Sequence, residues 1–394
     1  MESPEPKSTE QPADKPWLRH YPSSVPHTLD YPDIPLYQLL ADTASSHPER
    51  TALLFFGRQT SYEALFDEVK QVASGLLHLG LKKGDRVAIM LPNCPQLVAA
   101  YYGVLWAGGV VVMVNPLYTA RELRVQFEDS EARFLIALDQ VYQRAVEASS
   151  DTHLEKIIVT GIQERLPFPL NLLYRLKLRL KGQAVRVRKD DRTLRYSELL
   201  THGSKSEATL SQPKEDLALL QYTGGTTGIP KGAMLTHFNL VANCTQIRAW
   251  LPAPVIEQAT IMGALPFFHT YGMTIVMNYG IMIGARLILL PRFDLKAVLK
   301  AIQKYKPQLF PGVPTMYIAI NNHPSVEKYD LKSVDLCISG AAPLPQEVKE
   351  RFEALTGGHL VEGYGLTEAS PVTHCNLLQG TQKPGSIGLP WVDT

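Results

Sequence analysis

Short apolar runs rich in β-branched residues recur along this chain, each separated from the next by a stretch with helical spacing. That alternation is the mark of a mainly parallel sheet with helices on its faces. RVAIML (86–91), GVVVMV (109–114), RFLIAL (133–138), LALLQY (217–222), TIMGAL (260–265), ARLILL (285–290), QLF (308–310) and VDLCIS (334–339) are the candidate strands. Helices are expected over 61–79, 96–107, 120–129, after Thr270, over 295–305 and over 346–355. In the first of these, Leu65, Val69, Val72, Leu76 and Leu79 share one helical face, and Gly80 follows as a stop.

The rhythm fails between about 163 and 212, where ERLPFPLNLLYRLKLRLKGQAVRVRKDDR has no counterpart in the alternation. A subdomain junction is expected there. Two doubly wound α/β subdomains packed together account for the rest, with a further small β subdomain only partly present at the carboxy-terminal end. A TIM barrel fits less well, because the irregular middle interrupts an eightfold count.

With 394 residues, 45% of them hydrophobic, the chain can bury a core for more than one domain-sized unit. Its 39 basic and 38 acidic side chains leave a net charge of +1, which excludes a general polyanion binder and leaves no nucleic-acid role without a local patch. Residues 1–15 are polar and proline-rich, are expected to form a mobile tail, and lack the basic start and apolar core of a secretory signal. The four cysteines, Cys94, Cys244, Cys337 and Cys375, show no CxxC spacing and read as reduced thiols of a cytoplasmic protein. No apolar run is long enough to span a bilayer, so contact with the inner face of a membrane would be peripheral. One stretch offers it. Residues 170–189 carry Arg175, Lys177, Arg179, Lys181, Arg186, Arg188 and Lys189 with no acidic residue, interleaved with Leu170, Leu172, Leu173, Leu176, Leu178 and Leu180. Helix and strand both suit this spacing, and a solvated connector is the alternative to a membrane-facing segment.

The motif with the most chemistry is YTGGTTGIPKG at 222–232, directly after LALLQY. Gly224, Gly225 and Gly228 allow backbone N–H groups to close around an anion, Thr223, Thr226 and Thr227 add hydroxyls, and Lys231 adds a point charge. A glycine-rich hairpin turn is the alternative. Pro230 before the lysine, and a strand-like GAML after it, exclude a Walker A loop. His269, at the end of PFFH, stands at a strand's carboxyl edge, where open α/β sheets bind ligands; a satisfied core histidine is the other reading.

YTGGTTGIPKG, followed in order by PFFHTYG (266–272), SGAAPLP (339–345) and VEGYGLTEAS (361–370), resembles the signature set of the adenylate-forming family, which includes acyl-CoA synthetases, luciferases and peptide-synthetase adenylation domains. With NPLYTARE and KPGSIGLP, the pattern most resembles bacterial long-chain fatty-acid-CoA ligases. The resemblance implies an AMP-binding amino-terminal domain over 16–394 that uses ATP, magnesium, coenzyme A and a fatty acid. A ribose-binding aspartate, a hinge and a small domain bearing an adenylation lysine are then expected beyond residue 394, so the chain by itself is expected to bind MgATP but to be poorly active.

It further implies that Thr223, Gly224, Gly225, Thr226, Thr227, Gly228 and Lys231 hold the β- and γ-phosphates. Tyr364 would stack on adenine within a frame of Glu362, Gly363, Gly365 and Thr367, and Gly340, Ala341 and Ala342 would form the opposite wall, with a tight strand-to-helix turn as the alternative for SGAAPLP. Glu368 and Thr223 would face magnesium. Lys231, His269 and Thr367 are the catalytic candidates, and Gly312, in PGVPTMY, would leave room for the acyl chain. The hydroxyl of Tyr222 receives no role. PFFHTYG has no carboxylate for a substrate's amino group, which disfavours amino-acid activation. An aryl- or medium-chain CoA ligase, a luciferase-like oxygenase and a non-catalytic nucleotide- or fatty-acid-binding module are the rival readings.

Overall fold

The computed structural model describes residues 15–188, 190–202, 206–223, 230–251, 259–378 and 382–394. Its strands, in chain order, are β1 (Thr51–Phe55), β2 (Arg58–Ser61), β3 (Arg86–Met90), β4 (Val110–Met113), β5 (Phe134–Leu138), β6 (Lys156–Thr160), β7 (Thr193–Arg195), β8 (Leu217–Thr223) and β9 (Lys231–Thr236). They continue with β10 (Thr260–Gly263), β11 (Arg286–Leu289), β12 (Leu336–Ser339), β13 (His359–Gly365), β14 (Val372–Cys375) and β15 (Leu389–Pro390).

β3, β4 and β5 lie inside a seven-stranded sheet ordered β7-β6-β5-β3-β4-β8-β9, parallel except for the β8–β9 hairpin. Both faces of the sheet are covered, so Val87–Met90, Val110–Met113 and Phe134–Leu138 are buried throughout, and their sequences run apolar without alternating. On one face, the helix Tyr62–His78 starts where the Ser61 hydroxyl accepts the Ala64 N–H at 3.2 Å. It packs on the helix Pro95–Trp106. The two approach closely because Gly103 has no side chain: a Cβ there would stand 2.6 Å from Val72 Cγ1. Residues 95–105 are buried all round, as a helix held between layers must be.

β10-β11-β1-β2 and β12-β13-β14-β15 form two further sheets, each mixing parallel and antiparallel pairs. They are stitched together by single parallel bridges from Leu309 to Ile261 and to Leu336, and from Gly312 to Ser339. QLF, expected as a strand, therefore supplies one bridging residue rather than a ladder. Pro311 explains why: it has no N–H to continue one. The small β subdomain corresponds to β13–β15.

Two other stretches fold differently from the simplest sequence expectation. The 163–212 region keeps to the first sheet, adding the edge strand β7 and the helix Tyr196–Thr201. Its RLKLRLK segment, for which helix and strand were both open, ends the helix Leu170–Leu180, with Lys181 as the C-cap. After Thr270 a short helical turn leads into a π-helical segment, Met273–Asn278, before the chain regains α-helix at Tyr279–Met282. This wide turn is wholly buried, and Thr274 uses its hydroxyl to reach the Ser370 carbonyl at 3.1 Å. π-helical turns often sit beside functional sites.

Candidate active site

The carboxyl ends of β8, β10, β12 and β13 converge where the sheets meet. The segment after β10 is fixed from both sides. Buried Asn93 donates to the carbonyls of Gly263 (3.1 Å) and Leu265 (2.7 Å) and accepts the Phe267 N–H at 2.8 Å. From the same seven-stranded sheet, Gln221 near the end of β8 donates to the Phe268 carbonyl at 2.9 Å. Between these anchors the chain has one way to present His269. Its ring is open to the cleft yet surrounded by enough protein that desolvation holds its pKa below the ordinary histidine value.

His269, Gly340, Ala341, Gly363, Tyr364, Gly365 and Thr367 line one cleft of about 350 Å³. Gly340 lies flat on Tyr271, where a Cβ would come within 3.1 Å of the ring. Tyr271 itself is pinned by its hydroxyl, which donates to the Ile338 carbonyl at 2.7 Å. Ala341 holds a left-handed backbone, φ 67°, so the turn after β12 is sharper than an alanine adopts unaided. Tyr364 is 42% exposed at the cleft, with His374 edge-on behind it at 6.2 Å. Ile275, Val313, Met316 and Ile338 form an apolar side.

The expected residues do not all reach this cleft. Ala342 is exposed outside it. Glu362 turns its carboxylate to the Leu344 N–H at 3.3 Å and so braces the 340–345 turn against β13. The space beside Gly312 goes to Tyr317, whose hydroxyl oxygen would stand 2.8 Å from an added Cβ, so this glycine admits a tyrosine and not an acyl chain. Thr223 and Lys231 face each other across the hairpin stem, and Lys231 is exposed. β9 packs against the turn Thr367–Ala369, which carries the exposed Glu368. Gly224, Gly225, Thr226, Thr227 and Gly228 lie outside the described residues.

Tyr222 has a partner that sequence gave no reason to expect. Its hydroxyl donates to Asp129, and burial followed by that carboxylate raises its pKa, so it stays protonated. The ring also lies across Gly232, where a Cβ would be 3.2 Å away. Tyr222→Phe should therefore lower stability by about 1.5–3 kcal/mol, the worth of a hydrogen bond to a charged group. Urea unfolding with an unchanged m-value would show it, and an unchanged midpoint would refute it.

Asn93, Gln221 and Asn243 were not singled out by sequence. Asn243 pins β14 through the Val372 carbonyl at 2.8 Å and N–H at 3.2 Å. No motif marks such buried amides, because their role depends on backbone groups 47 to 174 positions away.

Fold and cleft together define a ligand-binding α/β enzyme domain with its site at the carboxyl edges of two sheets. The AMP-binding enzyme family matches residues 40–394, and the chain belongs to that family. A long-chain-fatty-acid–CoA ligase of Bacillus subtilis (strain 168) is 46% identical over 384 residues, 97% of this chain and 68% of that protein. One from Escherichia coli O157:H7 is 35% identical, over 95% of this chain and 68% of its own length. The crystal structure of a long-chain-fatty-acid-CoA ligase from Archaeoglobus fulgidus superposes with a TM-score of 0.78 at 27% identity, covering 93% of this chain and 71% of that one.

Proposed function

We propose that the chain activates a long-chain fatty acid with ATP and passes the acyl group to coenzyme A. One observation carries the proposal: His269, the 340–341 turn, Tyr364 and Thr367, far apart in sequence, line a single cleft beside the stem that bears Thr223 and Lys231. The fatty acid, and its length, are supported by the relatives' identity as long-chain ligases.

A carboxylate oxygen is a poor leaving group and AMP a good one. In the first step a carboxylate oxygen attacks the α-phosphorus and pyrophosphate departs; in the second the thiol sulfur of coenzyme A attacks the acyl carbon and AMP departs, the thiol proton passing to solvent. The protein's part is to align two anions and offset their charge. Tyr364 and the flat backbone at Gly340 form a slot suited to a purine. The Thr367 hydroxyl serves the α-phosphate, and Lys231 the phosphates that leave. His269, neutral at physiological pH because its pKa is lowered, positions the acid without adding charge. The apolar side at Ile275, Val313, Met316 and Ile338 receives the start of the acyl chain. Peripheral contact with a bilayer, from which an insoluble acid would be drawn, fits the same reading.

Glu368 and Thr223 offer hard oxygen donors of the type magnesium prefers, and Glu368 is exposed with no ion pair among the described residues. A magnesium ion held there with the triphosphate would neutralise the oxygens of the departing pyrophosphate. Glu368→Ala should then lower pyrophosphate exchange about 100-fold at limiting magnesium, roughly 3 kcal/mol, and recover in part as magnesium rises. A deficit independent of magnesium would refute the ligand role. The function itself is tested by acid-dependent ATP–pyrophosphate exchange with palmitate, octanoate and benzoate. Exchange fastest with palmitate is expected; exchange with benzoate alone would overturn the proposal.

A further inference from the structure

The helix Leu170–Leu180 has no buried residue, which is unusual for a helix rich in leucine. At 3.6 residues per turn, Leu172, Leu173, Leu176 and Leu180 fall within about 100° of arc. They are 52%, 56%, 53% and 79% exposed, so the stripe faces solvent and not the protein. Asn171, Tyr174 and Leu178 occupy the opposite side and are half-buried. That side rests on the 162–164 turn, and Tyr174 accepts a hydrogen bond from Gln140 Nε2 at 3.0 Å. Cations border the outward stripe on both flanks: Arg175 and Arg179 on one, Lys177 and Lys181 on the other. All four are exposed and make no ion pair among the described residues. Phe168, 79% exposed, precedes the helix, and exposed Arg186 and Arg188 follow it.

We propose that Leu170–Leu180 lies in the plane of an anionic lipid surface, its leucine ridge sunk among the acyl chains and its two rows of cations at the level of the phosphates. This deepens the peripheral contact named above and rests on that part of the reading alone. An apolar ridge edged by lysine and arginine is the pattern of interfacial helices, which sink about 5–10 Å into the headgroup boundary. Charge complementarity selects the occupant. A second copy would set like-charged rows against each other across a two-fold contact, with no acidic residue in 165–189 to relieve them. Anionic headgroups satisfy the cations while the chains accept the leucines. The helix's other side is already held by the body of the domain, so docking would place the whole chain in a fixed orientation on the bilayer.

The full chain is tested by co-sedimentation with vesicles of phosphatidylcholine alone and of equal parts phosphatidylcholine and phosphatidylglycerol. Partitioning should be at least ~10-fold stronger to the anionic vesicles at low salt and weaken as salt rises. Arg175→Gln/Lys177→Gln/Arg179→Gln/Lys181→Gln should lower it more than ~10-fold, since each cation near such a surface contributes about 1 kcal/mol. Leu173→Ser/Leu176→Ser/Leu180→Ser should lower it at every salt concentration with all cations intact. These side chains are exposed, so both variants should melt like the parent.

Equal binding by parent and cation variant at low and physiological salt would overturn the proposal. So would a leucine variant that binds undiminished, because the ridge would then not enter the lipid, or a parent that dimerises without lipid through those leucines. Pyrophosphate exchange with palmitate and with benzoate, read in parallel, separates the two ideas. Exchange with palmitate but no vesicle binding sinks only the docking proposal, and vesicle binding with exchange on benzoate alone sinks only the ligase reading.

Discussion

Asn93→Ala should lower the stability of the chain by about 4 kcal/mol and impair use of the acid more than binding of nucleotide. The side chain is buried and makes three hydrogen bonds, to the Gly263 and Leu265 carbonyls and the Phe267 N–H. Alanine leaves the Leu265 carbonyl and the Phe267 N–H without that partner in a place sheltered from water, at about 1–3 kcal/mol each, less whatever a water in the vacated space restores, while the Gly263 carbonyl keeps the Leu290 N–H at 3.1 Å. The functional effect follows from which segment is released. Asn93 stands after β3 of the first sheet and holds the chain between β10 and His269, whereas the 340–341 turn and Tyr364 are carried by β12 and β13. His269 should lose its fixed position while the adenine slot keeps its walls. Urea unfolding measures the first effect. For the second, ATP affinity by calorimetry should change less than the KM for the acid in pyrophosphate exchange. Equal losses in both would show that Asn93 acts only on stability.

The strands easiest to read from sequence were those buried on both faces. β3 from Val87 on, β4 and β5 are continuous apolar runs because no residue in them faces water, and the helix Tyr62–His78 announces itself by periodicity and, at Ser61 and Gly80, by its ends. β6, KIIVT, is of the same kind but was not picked out, although it stands just before the stretch in which the alternation loses its regular spacing. β7 is only three residues long, at a sheet edge, and so short a strand leaves no pattern. The π-helical turn at Met273–Asn278 was read simply as helix. Its period shift is set by what surrounds it, including Thr274 against the Ser370 carbonyl, and not by its own composition.

The cleft was legible where a residue's type is its function. Tyr364, Thr367, His269 and Gly340 were named from local motifs and meet around one space. Glu362 and Gly312 belong to the same motifs, yet the structure commits one to a backbone N–H and packs the other on Tyr317. A motif records that a residue matters without recording whether ligand or protein uses it. The supporting residues were invisible for the opposite reason. Asn93 and Asn243 look like any buried amide until the backbone they serve arrives from elsewhere in the chain.

Gly365→Ala should be the most damaging single methyl in the site. A Cβ at Gly365 would lie 2.2 Å from the Pro371 carbonyl oxygen and 2.9 Å from its carbon, and both are backbone atoms that no rotamer change can move. The same carbonyl accepts the Leu366 N–H at 2.8 Å, so the contact that closes the turn is the one the methyl invades. β13 and β14 would have to part by about an ångström. Tyr364 precedes this point by one residue and Thr367 follows it by two, so ring and hydroxyl would shift together. Misplacement on that scale costs about 100-fold at a site that works by alignment. ATP affinity should fall by that order, measured by calorimetry on the full chain. Stability should fall by about 1–3 kcal/mol, the usual cost of forcing an extra carbon into packed structure. Unchanged ATP affinity in a folded Gly365→Ala chain would mean that the nucleotide does not use this turn. In that case the positions of Tyr364 and Thr367 in the cleft would have to serve another ligand.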